Sequence, residues 1–147
     1  MVLAIGSDHG GFELKEEVKK HLEARGVEYK DFGCFTKESI DYPLVAKEVG
    51  TAIASGEYER GLLFCGTGIG ISMAANKIKG IRAACCDDCF SVKYTRLHND
   101  ANILCMGGRV VGPGLACELV DLFIDTEFEG GRHARRVGMI ADLEEGR

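Results

Sequence analysis

The chain has 147 residues, of which 46% are hydrophobic and 28% charged, and a formal net charge of −5. This acidic balance excludes a nucleic-acid binder that relies on a general basic surface, so any anion site must be a local cluster of positive groups. No apolar run reaches the roughly 18 residues of a membrane span and no signal peptide is readable, so we expect one cytoplasmic domain over residues 1–147.

Short apolar segments alternate with helical patterns along the chain. Strands are predicted at residues 2–5, 27–32, 62–65, 82–86 and 103–106. Between them, one helix is predicted between the loop at 6–11 and a stop at Gly26, and a second from an N-cap at Asp41 to Gly56. Further helices are predicted over residues 72–78, 90–97, 115–124 and 132–144. The order is therefore strand and helix in alternation.

This alternation predicts the α/β class, a single-domain three-layer α/β/α (Rossmann-like) fold with a five-stranded parallel sheet and an extra C-terminal helix. In such sheets, ligands bind beyond the carboxyl ends of the strands. The residues that follow the strands are therefore the candidates for a site, at 8–9, 65–70, 87–88 and 107–109.

The most informative segment is the loop that begins at Cys65 and carries alternating glycines at Gly66, Gly68 and Gly70. A buried strand delivers a thiol to the sheet edge, and the glycines let backbone N–H groups converge on one point. A tight turn without chemistry is one interpretation. A nucleotide site is another, with Asp87 or Asp88 as the ribose partner, but the spacing is G-x-G-x-G and not G-x-G-x-x-G. We favour a pocket for a small anion or an oxyanion.

The other cysteines carry a weaker signal. The chain has seven cysteines, an odd number, and most of them fall in predicted core segments. In a cytoplasmic protein they are expected to be reduced and to pack as small apolar side chains. Cys86 and Cys89 form a C-x-x-C pair, but no second pair or nearby histidine completes a zinc set, and we expect neither a metal nor a redox role.

Histidines and arginines supply the remaining candidates. His9, beside Asp8, and His98 lie at breaks in structure with polar neighbours, where an imidazole could move protons, whereas His21 lies on a charged helix. Residues 132–136 are the densest basic cluster. Arg132 and Arg136 share one helix face and suit a phosphate dianion, although a solvated basic patch is the better explanation when they are taken alone.

Taken together, the motifs resemble the type B ribose-5-phosphate isomerase family, which also contains galactose-6-phosphate and allose-6-phosphate isomerases. The resemblance runs from the first strand to the last helix, through the segments at 8–15, 41–43, 65–72, 74–77, 80–83, 98–100, 109–112 and 129–133. The family interconverts phosphorylated aldoses and ketoses through an enediolate, without a metal or other cofactor.

The resemblance implies a role for each matching residue. Cys65 is the base that moves a proton between two sugar carbons, Thr67 is a proton shuttle on the sugar oxygens, and His98, assisted by Asp8, opens the ring. The loop amides of Gly66, Gly68 and Gly70 hold the oxyanion, and Asn99 binds sugar hydroxyls. The remaining binding residues clamp the phosphate, with Tyr42 nearby; they are His9, Arg109, Arg132, His133 and Arg136.

The resemblance also implies an assembly. The family's site lies between two subunits, so His98, Asn99 and Arg109 are expected to face a partner's Cys65 in a homodimer, or in a tetramer of two such dimers. One branch of the family uses a glutamate where this chain has Ile71, so Cys65 places the chain in the cysteine branch.

The substrate stays open among three sugar classes. Ribose 5-phosphate is the first expectation. The alternatives are a six-carbon sugar phosphate, namely allose 6-phosphate or galactose 6-phosphate, and a free aldose such as allose. A nucleotide-binding regulatory module without turnover is a rival from another class. Neither nucleic acid nor a membrane is an expected partner.

Overall fold

A computed structural model describes all residues, 1–147. Five strands alternate with helices, and they are Val2–Ser7 (β1), Glu28–Asp31 (β2), Arg60–Cys65 (β3), Ala83–Cys85 (β4) and Ile103–Gly107 (β5). The helices are Phe12–Arg25 (α1), Tyr42–Ala54 (α2), Ile69–Ala75 (α3), Cys89–Asn99 (α4), Pro113–Asp125 (α5) and Arg132–Glu144 (α6). The predicted fold class is confirmed. None of the helices combines the length and apolar character that a membrane span requires.

The strands form one parallel sheet in the order β2-β1-β3-β5-β4. The register pairs Ser7 with Phe64, and Cys65 with Gly107. Every residue of β3 and of β5 is buried, as expected for central strands covered on both faces. Because β1, β3 and β5 are neighbours, the loops that leave their carboxyl ends begin side by side.

Helices cover both faces of the sheet. On one face α1, α4 and α5 bury residues such as Val18, Val92 and Leu119 against the sheet. On the other face α2 and α3 bury Val49 and Ile71. The sixth helix packs against α4 and supplies the predicted extra C-terminal element.

Helix α3 differs from the sequence prediction, since it begins at Ile69 and ends at Ala75 rather than spanning 72–78. Gly68 precedes it in the left-handed conformation, with φ at 80°, which lets the chain turn directly from the glycine loop into the helix. At the other end, the Asn76 side chain bonds the backbone N–H and C=O of Ala83, which directs the chain toward β4.

A buried ion pair joins α1 to the end of β2. Lys15 is fully buried, and its Nζ lies 2.8 Å from Asp31 Oδ1 and 2.5 Å from the carbonyl oxygen of Cys34. Asp31 also accepts a hydrogen bond from Lys19 at 3.0 Å. Burial opposes ionisation of Asp31, but the bonds from Lys15, the Gly33 amide and Lys19 hold the pKa of this carboxyl below its ordinary value of 3.8.

Candidate active site

Three loops meet at the carboxyl edge of the sheet with their backbones in direct contact. The Gly108 N–H donates to the Cys65 carbonyl at 2.8 Å, which joins the loop after β5 to the loop after β3. A Cβ at Gly11 would lie 2.4 Å from the backbone carbon of Phe64, and one at Gly108 would lie 2.5 Å from the carbonyl oxygen of Gly10. Only glycine permits this approach, so no side chain separates the three loops.

Cys65 is the last residue of β3 and only 4% exposed. Its Sγ accepts a hydrogen bond from the Gly68 N–H at 3.1 Å. The left-handed backbone of Gly68 turns this N–H back toward the strand end, as the glycine pattern predicted. The thiol is therefore fixed at the start of a loop whose amide dipole points at the sulfur.

Polar side chains surround the cysteine loop. Thr67 is exposed and its Oγ1 accepts a hydrogen bond from the Ile69 N–H at 3.2 Å, so the hydroxyl proton is free to be donated. The Tyr42 phenol ring lies against Gly70, where an added Cβ would be 2.8 Å from Cζ. The structure thus brings Thr67, Tyr42 and the predicted glycines together with Cys65.

Arg109 lies beside the cysteine loop of its own chain. Its backbone N–H donates to the Gly66 carbonyl at 3.0 Å, and a Cβ on Gly66 would lie 3.0 Å from the Arg109 Nη1 atom. From the sequence, Arg109 was expected to face a partner's cysteine, and this stays a prediction. Its contact with the cysteine loop of its own chain follows from the pairing of β5 with β3, which starts both loops at the same point of the sheet.

Asp8 and His9 follow β1 but make different contacts. Asp8 is 6% exposed, and its Oδ1 accepts the N–H groups of Gly10 at 2.8 Å and Gly11 at 3.1 Å. His9 is exposed, and its Nδ1 accepts the Ile40 N–H at 3.3 Å. Within one chain, Asp8 therefore bonds its own loop.

A second group of side chains lies where α4 and α6 meet. The rings of His98 and His133 stack with centroids 3.9 Å apart and planes 10° apart. Oε2 of Glu129 lies 3.4 Å from His98 Nε2 and 3.3 Å from His133 Nε2. Burial of the ring and the adjacent His98 lower the pKa of His133 below its ordinary value of 6.5.

A groove of about 430 Å³ contains His98 and Asn99 but not Cys65. Cys85 also lines it, and Cys85 Sγ lies 3.8 Å from the carbonyl oxygen of Thr67, so this cysteine connects the groove to the cysteine loop. Burial raises the pKa of Cys85, and raises that of Cys86 to about 11, with neighbouring negative groups adding to both shifts. Both thiols are therefore protonated at neutral pH.

The arginines divide into two groups. Five of them form ion pairs with carboxylates of the chain: Arg25, Arg60, Arg82, Arg96 and Arg147. The other four, Arg109, Arg132, Arg135 and Arg136, make no ion pair and are exposed. Three of these four are predicted phosphate ligands, and guanidinium groups without an internal partner can bind an external anion.

Two residues of the site received no role from the sequence. Glu129 belongs to the segment 129–133 that carries the resemblance, but only its spacing of four residues from His133 hinted at a contact. Cys85 belonged to a cysteine cluster of unassigned role. Its position against Thr67 depends on the order of the strands in the sheet, which the hydrophobic periodicity of the sequence does not predict.

A buried thiol that accepts a backbone N–H lies at the edge of a parallel sheet beside the exposed Arg109, an arrangement typical of an α/β enzyme site for a small anionic substrate. The profile of the Ribose/Galactose Isomerase family matches residues 3–140. The putative sugar phosphate isomerase YwlF of Bacillus subtilis is 53% identical over 99% of this chain and 98% of its own length. Ribose-5-phosphate isomerase B of Escherichia coli is 49% identical over 99% of this chain and 97% of its own.

The fold agrees with a solved structure of the same kind. Ribose-5-phosphate isomerase B of Clostridium thermocellum superposes with a TM-score of 0.97 at 52% identity, covering 99% of both chains. The chain belongs to the ribose/galactose isomerase family, and the resemblance stated from its motifs is confirmed.

Proposed function

We propose that the chain is an aldose–ketose isomerase that interconverts D-ribose 5-phosphate and D-ribulose 5-phosphate through an enediolate. The observation that carries this proposal is the Cys65 thiol, buried at the end of β3 with the Gly68 N–H directed at its sulfur. The relatives named ribose-5-phosphate isomerase B support the choice of substrate.

The proposed proton transfer uses the cysteine loop. The Cys65 thiolate takes the proton from C2 of the open-chain aldose, and the electron pair of that C–H bond forms the C1–C2 double bond of the enediolate. The amides of residues 66–70 would stabilise the negative oxygen, because fixed donors need no reorganisation as charge develops. The thiol then returns the proton to C1, while Thr67 transfers the proton between O1 and O2.

Ring opening is assigned to His98 with the assistance of Asp8. The His98 side chain is about one-third exposed, at 35%, and can reach a sugar in the groove it shares with Asn99, which would bind the sugar hydroxyls. Asp8 uses Oδ1 for the two loop amides and leaves Oδ2 without a hydrogen-bond partner in the chain. That free oxygen is available to a histidine from a second subunit.

The phosphate is assigned to the unpaired positive groups. Arg109, Arg132 and Arg136 make no ion pair within the chain, and a phosphate dianion would supply the anionic partner that they lack. His9 and His133 would add donors, and Tyr42 would border the site.

A homodimer would complete the site. The groove with His98 and Asn99 does not include Cys65, so within one chain the ring-opening histidine and the base do not line the same groove. Apolar side chains flank both parts, with Met73 63% and Phe90 71% exposed, and a second copy would bury them. We infer that His98 and Asn99 act on the substrate held by the partner's cysteine loop, and that two dimers can form a tetramer. A cytoplasmic location, without membrane or nucleic acid as a partner, is part of the proposal.

A coupled assay across five- and six-carbon aldoses, each with and without phosphate, tests the activity. We expect the highest kcat/KM for ribose 5-phosphate, and much lower values for allose 6-phosphate, galactose 6-phosphate and free allose. A clear preference for a six-carbon substrate would assign the chain to that substrate instead. Saturable nucleotide binding without turnover would favour the regulatory module.

Subunit complementation tests the shared site. Cys65→Ala and His98→Gln are each expected to be nearly inactive as homodimers. Unfolding and refolding them together gives mixed dimers in which one of the two sites has both native residues, so about one quarter of wild-type activity should return. Each variant refolded alone is the control. No recovery in confirmed mixed dimers would place both residues in one subunit's site.

A further inference from the structure

We propose that His98, Glu129 and His133 form a binding site for one divalent transition-metal ion, for which Zn²⁺ is the best fit. Each residue offers one ligand atom, and these atoms all lie within 4.8 Å of one another. Two neutral imidazoles and a carboxylate are a donor set that zinc uses in proteins, with the fourth position open to water or another ligand.

The distances between the donor atoms agree with this assignment. With Zn–N bonds of about 2.0–2.1 Å and Zn–O bonds of about 2.0–2.2 Å, two donors on a tetrahedral ion lie about 3.3–3.5 Å apart. The separations from Glu129 Oε2 to His98 Nε2 and to His133 Nε2 are 3.4 and 3.3 Å. The carboxylate oxygen therefore already lies at donor spacing from both imidazole nitrogens, and all three ligand atoms lie within 4.8 Å of one another.

The fold holds these donors from three elements. His98 is in the last turn of α4, His133 is in the first turn of α6, and Glu129 lies in the intervening loop. The carbonyl end of α4 favours a cation near His98. The stacked rings are nearly parallel, so binding should tilt them until both nitrogen lone pairs converge on the ion.

The surroundings define what else the ion would bind. Glu129 is 54% exposed, so solvent reaches the open position. The positive charges of Arg132 and Arg136 act on His133 and would weaken binding of a cation alone. They would also attract an anion, hydroxide or phosphate, as the fourth ligand.

The consequence for activity rests on the proposed function. A metal on His98 Nε2 occupies the lone pair that ring opening needs. Zinc is therefore expected to inhibit turnover of ribose 5-phosphate, which closes a ring through its free O4 hydroxyl, more strongly than any turnover of erythrose 4-phosphate. The O4 of erythrose 4-phosphate carries the phosphate, so this sugar cannot close a five-membered ring. Equal inhibition of both substrates would overturn the assignment of this inhibition to His98.

Binding itself is tested without turnover. The full-length protein, freed of metal with a chelator, is titrated with Zn²⁺ by calorimetry in a buffer without phosphate. One ion per chain is expected, and Glu129→Gln and His133→Asn should each weaken binding at least about tenfold, as expected when a metal ligand is lost. Circular dichroism verifies that both variants fold.

Thiol binding is the competing explanation, and two measurements exclude or establish it. Cys89→Ser is the matched control, and its affinity should equal that of the wild type. Co²⁺ in place of Zn²⁺ should give tetrahedral visible absorption without a sulfur charge-transfer band. Unchanged affinity in Glu129→Gln, or a thiolate band that disappears in Cys89→Ser, would overturn the proposed site.

Discussion

The sulfur of Cys65 accepts a hydrogen bond from the backbone N–H of Gly68, three residues further along the chain, at 3.1 Å. The strand, the turn and the start of α3 are thereby fixed to one another through a side chain that the chemistry would use. The position of the proposed base therefore depends on the left-handed conformation of Gly68.

Replacing Cys65 by alanine should lower kcat by about 10²–10⁴-fold, the usual range when a positioned proton-transfer group is lost. The binding of ribose 5-phosphate should be largely retained, since the amides and arginines are unchanged. Steady-state kinetics and calorimetric titration measure the two quantities. Cys117→Ala, a cysteine on α5, is the control and should behave as wild type. Near-normal kcat in Cys65→Ala would exclude the thiol as the base.

Removing the guanidinium of Arg136 should raise KM for ribose 5-phosphate at least about tenfold, since charge-assisted bonds to phosphate contribute about 1.5–3 kcal/mol each. The KM for a free aldose should change little because it carries no phosphate. Arg135→Ala removes the same charge one residue earlier on α6 and should have a much smaller effect. If both variants raised KM equally, the cluster would be a general positive surface and not a site.

Lys15→Met should destabilise the fold by about 3–5 kcal/mol, because Asp31 would lose its buried partner. The pKa of Asp31 is held below 3.8, so this stabilisation is present above that pH and is lost as the pH falls through the lowered value. Urea unfolding should therefore show a large difference between wild type and variant at neutral pH and a smaller one in acid. Lys19→Met, which leaves Lys15 in place, should cost less. An equal loss of unfolding free energy in both variants would contradict the conclusion that Lys15 is the main partner of Asp31.

His133 should make the fold less stable in mild acid. Its pKa is lowered below 6.5 by burial, by His98 and by Arg132, while Glu129 opposes the shift and Arg136 adds to it. The unfolded chain therefore binds the proton more readily, and stability should decrease as the pH falls below 6.5. Urea unfolding of wild type and His133→Gln across this range measures the effect, and the variant should show a shallower decrease. An identical pH dependence would show that His133 does not contribute to it.

Much of the architecture was predictable because it is local. The strands and helices follow from periodic burial, and Gly26 and Asp41 mark a helix end and a helix start as predicted. The order of the strands was not predictable from one sequence, since it depends on which helices cover which face. The early start of α3 was missed because the left-handed Gly68 lets a helix begin within the glycine loop.

The site also has a part that could be predicted from the sequence and a part that depends on how the helices pack. Residues that follow neighbouring strands were brought together by the sheet, so Asp8, Cys65 and Arg109 share one edge as expected. The stack of His98 on His133 was not foreseen, because it depends on how α6 packs against α4. Glu129 was missed for the same reason.

The backbone contact among the three loops has a consequence for how the protein can change over time. Since Gly11 touches Phe64, and Gly108 touches Gly10, without an intervening side chain, a single added methyl group there would move a loop as a whole. The positions of the backbone N–H donors in these loops are therefore coupled, so a substitution that moves one loop also moves the others. Variation in substrate preference should therefore arise in the surrounding side chains, while the frame beneath them stays fixed.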